Sequence, residues 1–180
     1  RYFCLSRGLG DVYKRQALWL FSCLLRYRRD RRNRRCSDTD GGVYKMRIEL
    51  PDFCLVALVG GTSSGKSTFA AKHFKSTEVL SSDFFRGLVA DDENAQDASS
   101  AAFDALYYVA RKRLEAMRLT VIDATNVQPA ARRQVIDLAK EQNCHPVAIV
   151  FNMPERICRE RNALRPERQL PDRVIQRHCN

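Results

Sequence analysis

The sequence predicts an α/β fold in which a parallel β-sheet is flanked by helices and carries a phosphate-binding loop. Three observations support this prediction. An apolar run over 53–59 leads directly into a glycine-containing loop, and a helical pattern follows that loop at once. Other short apolar runs alternate with helical patterns, and they cover 79–82, 119–123 and 146–151. Aspartates stand at the ends of two of these runs, where parallel α/β sheets bind ligands.

The loop itself fits the pattern G-x-x-x-x-G-K-[ST] over 60–67 without a gap. Its glycines allow a tight turn in which successive N–H groups point inward at phosphate oxygens, and the following helix adds a favourable dipole. Lys66 is expected to reach the terminal phosphates of ATP, and the Ser67 hydroxyl to bind Mg²⁺. A Gly/Ser turn with a chance Lys-Ser is the alternative. The predicted ATP-binding residues are Gly60, Gly61, Thr62, Ser63, Ser64, Gly65, Lys66, Ser67 and Thr68.

The helices are predicted from spacing and from proline positions. Residues 99–118 predict a long helix, which Ser99 or Ser100 can cap. Pro129 suits the first turn of a helix that runs to about residue 142. A further helix from 154 should end before Pro166, and a last one follows Pro171. An apolar stripe along the long helix is expected to face the core, and it comprises Phe103, Leu106, Tyr107, Ala110, Leu114 and Met117.

Charge and cysteine content limit the class of protein. The formal charge is +10, but residues 1–45 contain 12 Lys and Arg against 4 Asp and Glu, whereas 46–180 contain 19 against 17. Bulk charge is therefore weak evidence for a nucleic-acid partner. The seven cysteines are odd in number and form no C-x-x-C pair, so we expect a reducing, cytoplasmic environment without disulfides or a zinc site.

The first 45 residues differ from the rest of the chain. The apolar stretch at 17–25 is far shorter than the ~20 residues that a membrane helix needs, and we expect no membrane partner. The arginines at 26–35 are compatible with an RNA-binding arm. However, 4–16 resembles a translated sequencing adaptor, and the first methionine is Met46. We expect 1–45 to be a non-native or disordered leader, and 46–180 to be one phosphate-loop domain, truncated at its C-terminus.

Four further residues are candidates for the site on their local pattern. Asp83 and Arg86 are three apart and share a face if the segment is helical; Asp83 suits a catalytic base and a helix N-cap equally well. Arg161 and Arg165 are one helical turn apart, which suits either a lid that closes over phosphates or a solvated helix with Glu–Arg pairs.

Asp123 is a candidate for the metal site. It ends the apolar run at 119–123, a position from which phosphate-loop enzymes often hold the hydration shell of Mg²⁺. The alternative is that Asp123 and the nearby Asn126 are ordinary turn residues.

Five motifs in the same order resemble the bacterial polynucleotide kinase-phosphatase family, in its N-terminal 5′-hydroxyl kinase domain. The resemblance covers 46–180, and the leader has no counterpart in it. It implies an adenylate-kinase-like phosphotransferase fold with an arginine-bearing helical lid. The motifs are GGTSSGKSTFA, SSDFFRGLV-x-DDEN, TVIDATNVQP-x-AR, PVAIVF and PER-x-C-x-ERN-x-x-RP.

The resemblance also implies roles for individual positions. Lys66 and Ser67 match the contacts to ATP and Mg²⁺, and Asp83 matches the general base that deprotonates the 5′-hydroxyl. Arg86 matches the contact to a phosphate of the acceptor strand. The lid arginines on the ATP phosphates are matched by Arg161 and Arg165. Asp123 and Asn126 match the strand-end motif.

The expected activity is transfer of the γ-phosphoryl group of ATP to a 5′-hydroxyl end of RNA or DNA during repair. The family has phosphatase and ligase-like domains after this one, which we expect in the full-length chain. Two alternatives remain open: a small-molecule kinase of the nucleoside type, and a non-catalytic ATP-binding module.

Overall fold

The computed structural model describes residues 48–165 and 170–179, so the predicted leader at 1–45 lies outside the described residues. Strands and helices alternate along the chain. In order they are β1 (Cys54–Val59), α1 (Lys66–His73), β2 (Val79–Ser81), α2 (Ser82–Ala90), α3 (Ser99–Glu115), β3 (Thr120–Asp123), α4 (Pro129–Glu141), β4 (His145–Val150), α5 (Glu155–Ala163) and α6 (Asp172–Cys179).

The strands form one parallel sheet in the order β2-β3-β1-β4. In the registers, Leu58 of β1 and Ser81 of β2 both lie opposite Asp123 of β3. The carboxyl ends of these three strands therefore meet at one edge of the sheet. The phosphate loop follows β1 there, Asp83 follows β2, and Asp123 ends β3, so the predicted α/β fold is confirmed.

Strand β1 is buried on both faces, which explains why its sequence is a continuous apolar run. Leu55 and Ala57 contribute to one hydrophobic cluster together with residues of α3 and α4. Val56 and Leu58 contribute to the cluster on the other face, with residues of α1 and β4. The two hydrophobic clusters thus hold the central strand in place, and the start of the phosphate loop, which follows this strand directly, is fixed with it.

The structure corrects two details of the predicted helices. Helix α3 ends at Glu115, and Met117 adopts a left-handed φ of 54° with 65% of its surface exposed, so it is not a core residue. The N-cap position of α3 is Ala98, without a side-chain cap, so neither serine caps the helix. Met117 lies three residues beyond Leu114, the last buried residue of the helix. Its left-handed backbone ends the helical path, so helical spacing no longer predicts burial there.

Two expectations about the environment can be compared with the described residues. Cys54 is fully buried in the sheet and carries a free thiol, which is usual for a small core residue. Within the described ranges, no helix combines the length and apolar character that crossing a membrane demands.

The side chain of Leu106 is a test of the larger cluster, because it is 0% exposed on α3. Leu106→Ala is expected to lower the free energy of unfolding by about 3 kcal/mol, through lost burial and the cavity left behind. The exposed Tyr108 on the same helix provides the control, and Tyr108→Ala should cost about 0.5 kcal/mol or less. Urea denaturation monitored by circular dichroism measures both; equal losses would contradict this packing.

Candidate functional site

The phosphate loop adopts a conformation that its glycines make possible. Gly65 has a left-handed φ of 97° directly before α1, which a residue with a Cβ adopts only with strain. A Cβ on Gly60 would lie 2.9 Å from the carbonyl oxygen of Phe151, so a larger residue does not fit there either. The N–H of Gly60 donates to Thr125 O (2.9 Å), which ties the loop to the segment after β3.

The Lys66 side chain curls back into the loop and is buried. Its ammonium donates to the carbonyl oxygens of Gly60 (2.8 Å) and Gly61 (2.7 Å), and to Ser64 Oγ (3.4 Å). Burial lowers the pKa of this ammonium to about 8, while the negative charges of Asp123 and Asp83 act in the opposite direction. The loop thus holds one positive charge at the place where phosphates are expected to bind.

Asp123 and Ser67 lie together beside this ammonium. Asp123 is 5% exposed, its carboxylate is hydrogen-bonded by the Ser67 side chain, and burial raises its pKa. The Oδ1 atom of Asn126 is also buried and finds no hydrogen-bond partner within the described part of the chain, while its Nδ2 donates to Leu58 O (2.9 Å). Mg²⁺ prefers oxygen ligands and usually takes only one or two from the protein. The Asp123 and Ser67 oxygens therefore fit a magnesium ion bound with ATP.

Asp83 lies in the first turn of α2, and the cap of that helix is Ser81, whose Oγ accepts from Phe84 N (3.5 Å). The N-cap interpretation of Asp83 is therefore wrong. Asp83 remains 34% exposed, and its charge acts on both Lys66 and Asp123. The structure thus brings the predicted base to the phosphate loop and the candidate metal ligand.

Arg86 is on the same face of α2 as Asp83, as predicted, but it is buried. Its Nη2 donates to Asp83 Oδ1, and its Nε donates to the carbonyl oxygen of Glu93 (2.7 Å). The guanidinium therefore braces the Asp83 carboxylate against the acidic loop at 91–97. A sequence pattern gives no measure of exposure, so the carbonyl of Glu93 could not be identified as a partner beforehand.

The arginines of the predicted lid also lie beside the loop. Arg161 is near the end of α5, and its Nη1 is 3.6 Å from the position that a Cβ on Gly65 would occupy. Arg165 follows the helix, and its positive charge acts on Lys66. The Glu–Arg pairs of the solvated-helix interpretation do form, but they engage Arg156 (3.7 Å) and Arg159 (2.6 Å).

One contact at the loop was not predicted. His178 Nδ1 on α6 lies 3.3 Å from Thr62 Oγ1. The two residues are 116 positions apart in the sequence, and neither spacing nor motif relates them.

A cluster of three or more His, Cys, Asp or Glu suited to a metal is absent from the residues that the structure describes.

With this geometry established, the chain can be compared with known proteins. A family model described as an AAA domain (AAA_33) matches residues 55–179. The protein therefore belongs to this family, as a phosphate-loop domain with a kinase-like fold. No curated protein matches the sequence.

Solved structures share the fold at low identity. A chain of the Pnkp1/Rnl/Hen1 RNA repair complex is 23% identical with a TM-score of 0.60, over 71% of this chain and 43% of that one. A Chloroflexus aurantiacus protein assigned as a kinase is 18% identical with a TM-score of 0.51, and the match covers 62% of this chain and 64% of that one. A chain of the AvrRxo1-ORF1:-ORF2 complex with ATP is 21% identical with a TM-score of 0.53, and the match covers 69% of this chain and 46% of that one. This chain thus spans less than half of the RNA-repair chain, and these identities show the fold alone.

The affinity for ATP is expected to fall as the pH rises above about 8, the pKa of Lys66. The free protein loses the Lys66 proton there, whereas bound phosphates keep it on, so binding takes up a proton. The Kd should rise by up to about tenfold per pH unit. Titration calorimetry in two buffers of different ionisation enthalpy measures the Kd and the proton uptake together. A Kd that stays constant through this range would contradict the burial of Lys66; Lys66→Met, which does not titrate there, is the control.

Proposed function

We propose that this protein is a Mg²⁺- and ATP-dependent kinase that transfers the γ-phosphoryl group to the 5′-hydroxyl end of a polynucleotide, RNA or DNA, in nucleic-acid repair. One observation supports the chemistry most directly. The Asp83 carboxylate, held by Arg86, lies within electrostatic reach of both Lys66 and Asp123. A base, an ammonium for phosphates and a candidate metal ligand thus converge on one place, which is the arrangement that phosphoryl transfer to a hydroxyl requires.

The donor half of the site consists of the loop and its ammonium. The N–H groups of the loop and Lys66 bind the phosphates of ATP, and the oxygens of Ser67 and Asp123 would hold Mg²⁺. The metal supplies positive charge to the phosphate oxygens when bound. Arg161 and Arg165 add positive charge beside the loop, where charge on the transferring group can be stabilised.

The acceptor half begins at Asp83. Its carboxylate takes the proton of the acceptor hydroxyl, the hydroxyl oxygen forms the new bond to the γ-phosphorus, and the bond to the β-phosphate oxygen breaks, which releases ADP. Arg86 keeps the carboxylate oriented, and its guanidinium is the group we assign to a phosphate of the acceptor strand. The order of the five motifs supports a polynucleotide as the acceptor.

The partners of the whole protein belong to the same proposal. The described domain corresponds to 43% of the RNA-repair chain whose fold it shares. We propose that the full-length protein adds phosphatase and ligase-like domains, as the motif resemblance implies.

A small-molecule acceptor, such as a nucleoside, is the second candidate. The burial of Arg86 favours it, because a guanidinium bonded to Asp83 and Glu93 O has less capacity to bind a strand phosphate. A non-catalytic ATP-binding module is the remaining alternative, and it requires no base. Variants of the base and of the lid distinguish a kinase from a module that only binds ATP, and a competition between acceptors distinguishes the two kinases.

Asp83→Asn is expected to lower kcat for a 5′-hydroxyl RNA oligonucleotide by about 100-fold or more, because the base is removed. The Kd for ATP should stay within about twofold, because the proposed role of the Asp83 carboxylate is toward the acceptor and not the donor. Transfer of labelled γ-phosphate measures the rate, and calorimetry measures the Kd. Asp91→Asn is the matched control, since Asp91 is exposed at the C-cap of the same helix and asparagine tolerates its left-handed φ of 55°. Unchanged turnover in Asp83→Asn would remove it from the mechanism.

Arg161→Ala should lower kcat by about 1,000-fold with little effect on folding, as other arginines on a transferring phosphoryl group do. The control is Arg156→Ala, on the same helix with its side chain 85% exposed. Thermal unfolding of both variants verifies the fold. If the Arg161 variant is folded and turns over at the rate of the control, the lid has no role in stabilising the transferred group.

A further inference from the structure

Helix α6 reaches the phosphate loop through the contact between His178 and Thr62. The His178 Nδ1 and Thr62 Oγ1 atoms are 3.3 Å apart, and the contact is half-buried. Thr62 lies in the first half of the loop, beside the Gly61 carbonyl that accepts from Lys66. His178 has no part in the phosphoryl-transfer scheme above, so its place beside the loop needs a separate explanation.

Other contacts also hold α6 in position. Ile175 is 0% exposed and anchors the helix in the protein. The Asn162 side chain of α5 exchanges two hydrogen bonds with the backbone of Leu170 (3.0 and 3.2 Å), just before α6 begins. Arg159 of α5 also pairs with Asp172 of α6 (3.3 Å). Helices α5 and α6 therefore form one unit, which we call the lid hairpin.

The lid hairpin contacts the phosphate loop at two separate points. Arg161 of α5 lies over Gly65, at the start of α1, and His178 of α6 lies at Thr62. The ammonium of Lys66 is enclosed by the loop between these points. The His178 contact is thus placed to fix the first half of the loop.

The charge of the His178 ring suits this position. Burial lowers the pKa of His178, and the positive charges of Lys66 and Arg177 act in the same direction. The ring is therefore neutral at neutral pH and adds no repulsion against Lys66. A neutral imidazole can accept from the Thr62 hydroxyl or donate to it, depending on the tautomer.

We propose that His178 is a positioning residue for ATP, which holds the Thr62 hydroxyl and thereby keeps the first half of the phosphate loop in the conformation that receives the triphosphate. His178 acts through Thr62 and touches no reacting atom. The proposal rests on the ATP-binding half of the proposed function alone, so it stands or falls independently of the acceptor. A loop that is already ordered binds its ligand with less loss of conformational entropy.

Loss of the contact is expected to raise the Kd and the KM for ATP about fivefold, the equivalent of one hydrogen bond. The KM for the acceptor should not change, since Asp83 and Arg86, the proposed acceptor residues, belong to α2 and not to the lid hairpin. A merely structural role for His178 would lower stability and alter both KM values.

Two substitutions of His178 separate the contact from the rest of the ring. Asparagine places a polar atom near the position of Nδ1, whereas glutamine places one near Nε2. His178→Asn should therefore bind ATP within about twofold of the wild type, and His178→Gln should bind it about fivefold more weakly, as His178→Ala does. Gln176→Ala, at an exposed position of the same helix, is the matched control. Calorimetry with ATP and the full chain gives the Kd, without any acceptor.

Thr62 provides the complementary variants. Thr62→Val removes the hydroxyl at nearly constant volume and should weaken binding about fivefold. In the double variant Thr62→Val/His178→Ala the losses should not add, because both remove the same interaction. If His178→Ala fails to fold, the comparison between His178→Asn and His178→Gln decides by itself. Additive losses, equal Kd values for His178→Asn and His178→Gln, or an unchanged Kd in Thr62→Val would each overturn the proposal.

Discussion

The ammonium of Lys66 is enclosed by the carbonyl oxygens of its own loop, and the rest of the site depends on that enclosure. A buried charge is costly unless polar groups surround it, so the loop must turn its carbonyls of Gly60 and Gly61 toward the ammonium. That turn requires glycine at 60, where a Cβ has no room, and at 65, where φ is left-handed. It also requires a fixed starting point, which β1 provides because it is buried on both faces of the sheet. The core and the site therefore depend on each other: the packed central strand positions the loop, and the loop holds one positive charge where phosphates are proposed to bind.

The parallel sheet brings two carboxylates to the same edge with different environments. Asp123 is buried, and the Ser67 side chain and the charge of Lys66 favour its charged form against the effect of burial. Asp83 is partly exposed and braced by Arg86, which in turn is bonded to the loop at 91–97. The difference in exposure suits two different roles, in which the buried Asp123 would serve the metal and the donor and the partly exposed Asp83 would serve the acceptor. Arg86 links the orientation of the base to the acidic loop, so the geometry of the base depends on a segment outside the sheet.

Most of the fold could be predicted from the sequence because its elements have strong local signals. The continuous apolar run of β1 reflects burial on both faces, and Pro129 marks the first turn of α4. The end of α3 could not be predicted, since spacing alone does not show that the backbone reverses at Met117. In the site, the positions of Lys66, Asp83, Asp123 and Arg161 beside the loop follow from the motifs and the parallel topology. The burial of Arg86 and the contact between Thr62 and His178 do not, because both depend on packing between elements that are distant in sequence.

The central claim is that the two halves of this site pass a phosphoryl group to a polynucleotide end. The most direct measurement offers the wild-type protein, Mg²⁺ and γ-labelled ATP three acceptors in competition: an RNA oligonucleotide with a 5′-hydroxyl, the same oligonucleotide with a 5′-phosphate, and a mixture of nucleosides. The account predicts label on the 5′-hydroxyl oligonucleotide and on neither of the others. Label on the nucleosides alone would contradict the polynucleotide acceptor, and the absence of label with ATP bound would contradict the proposed transfer itself.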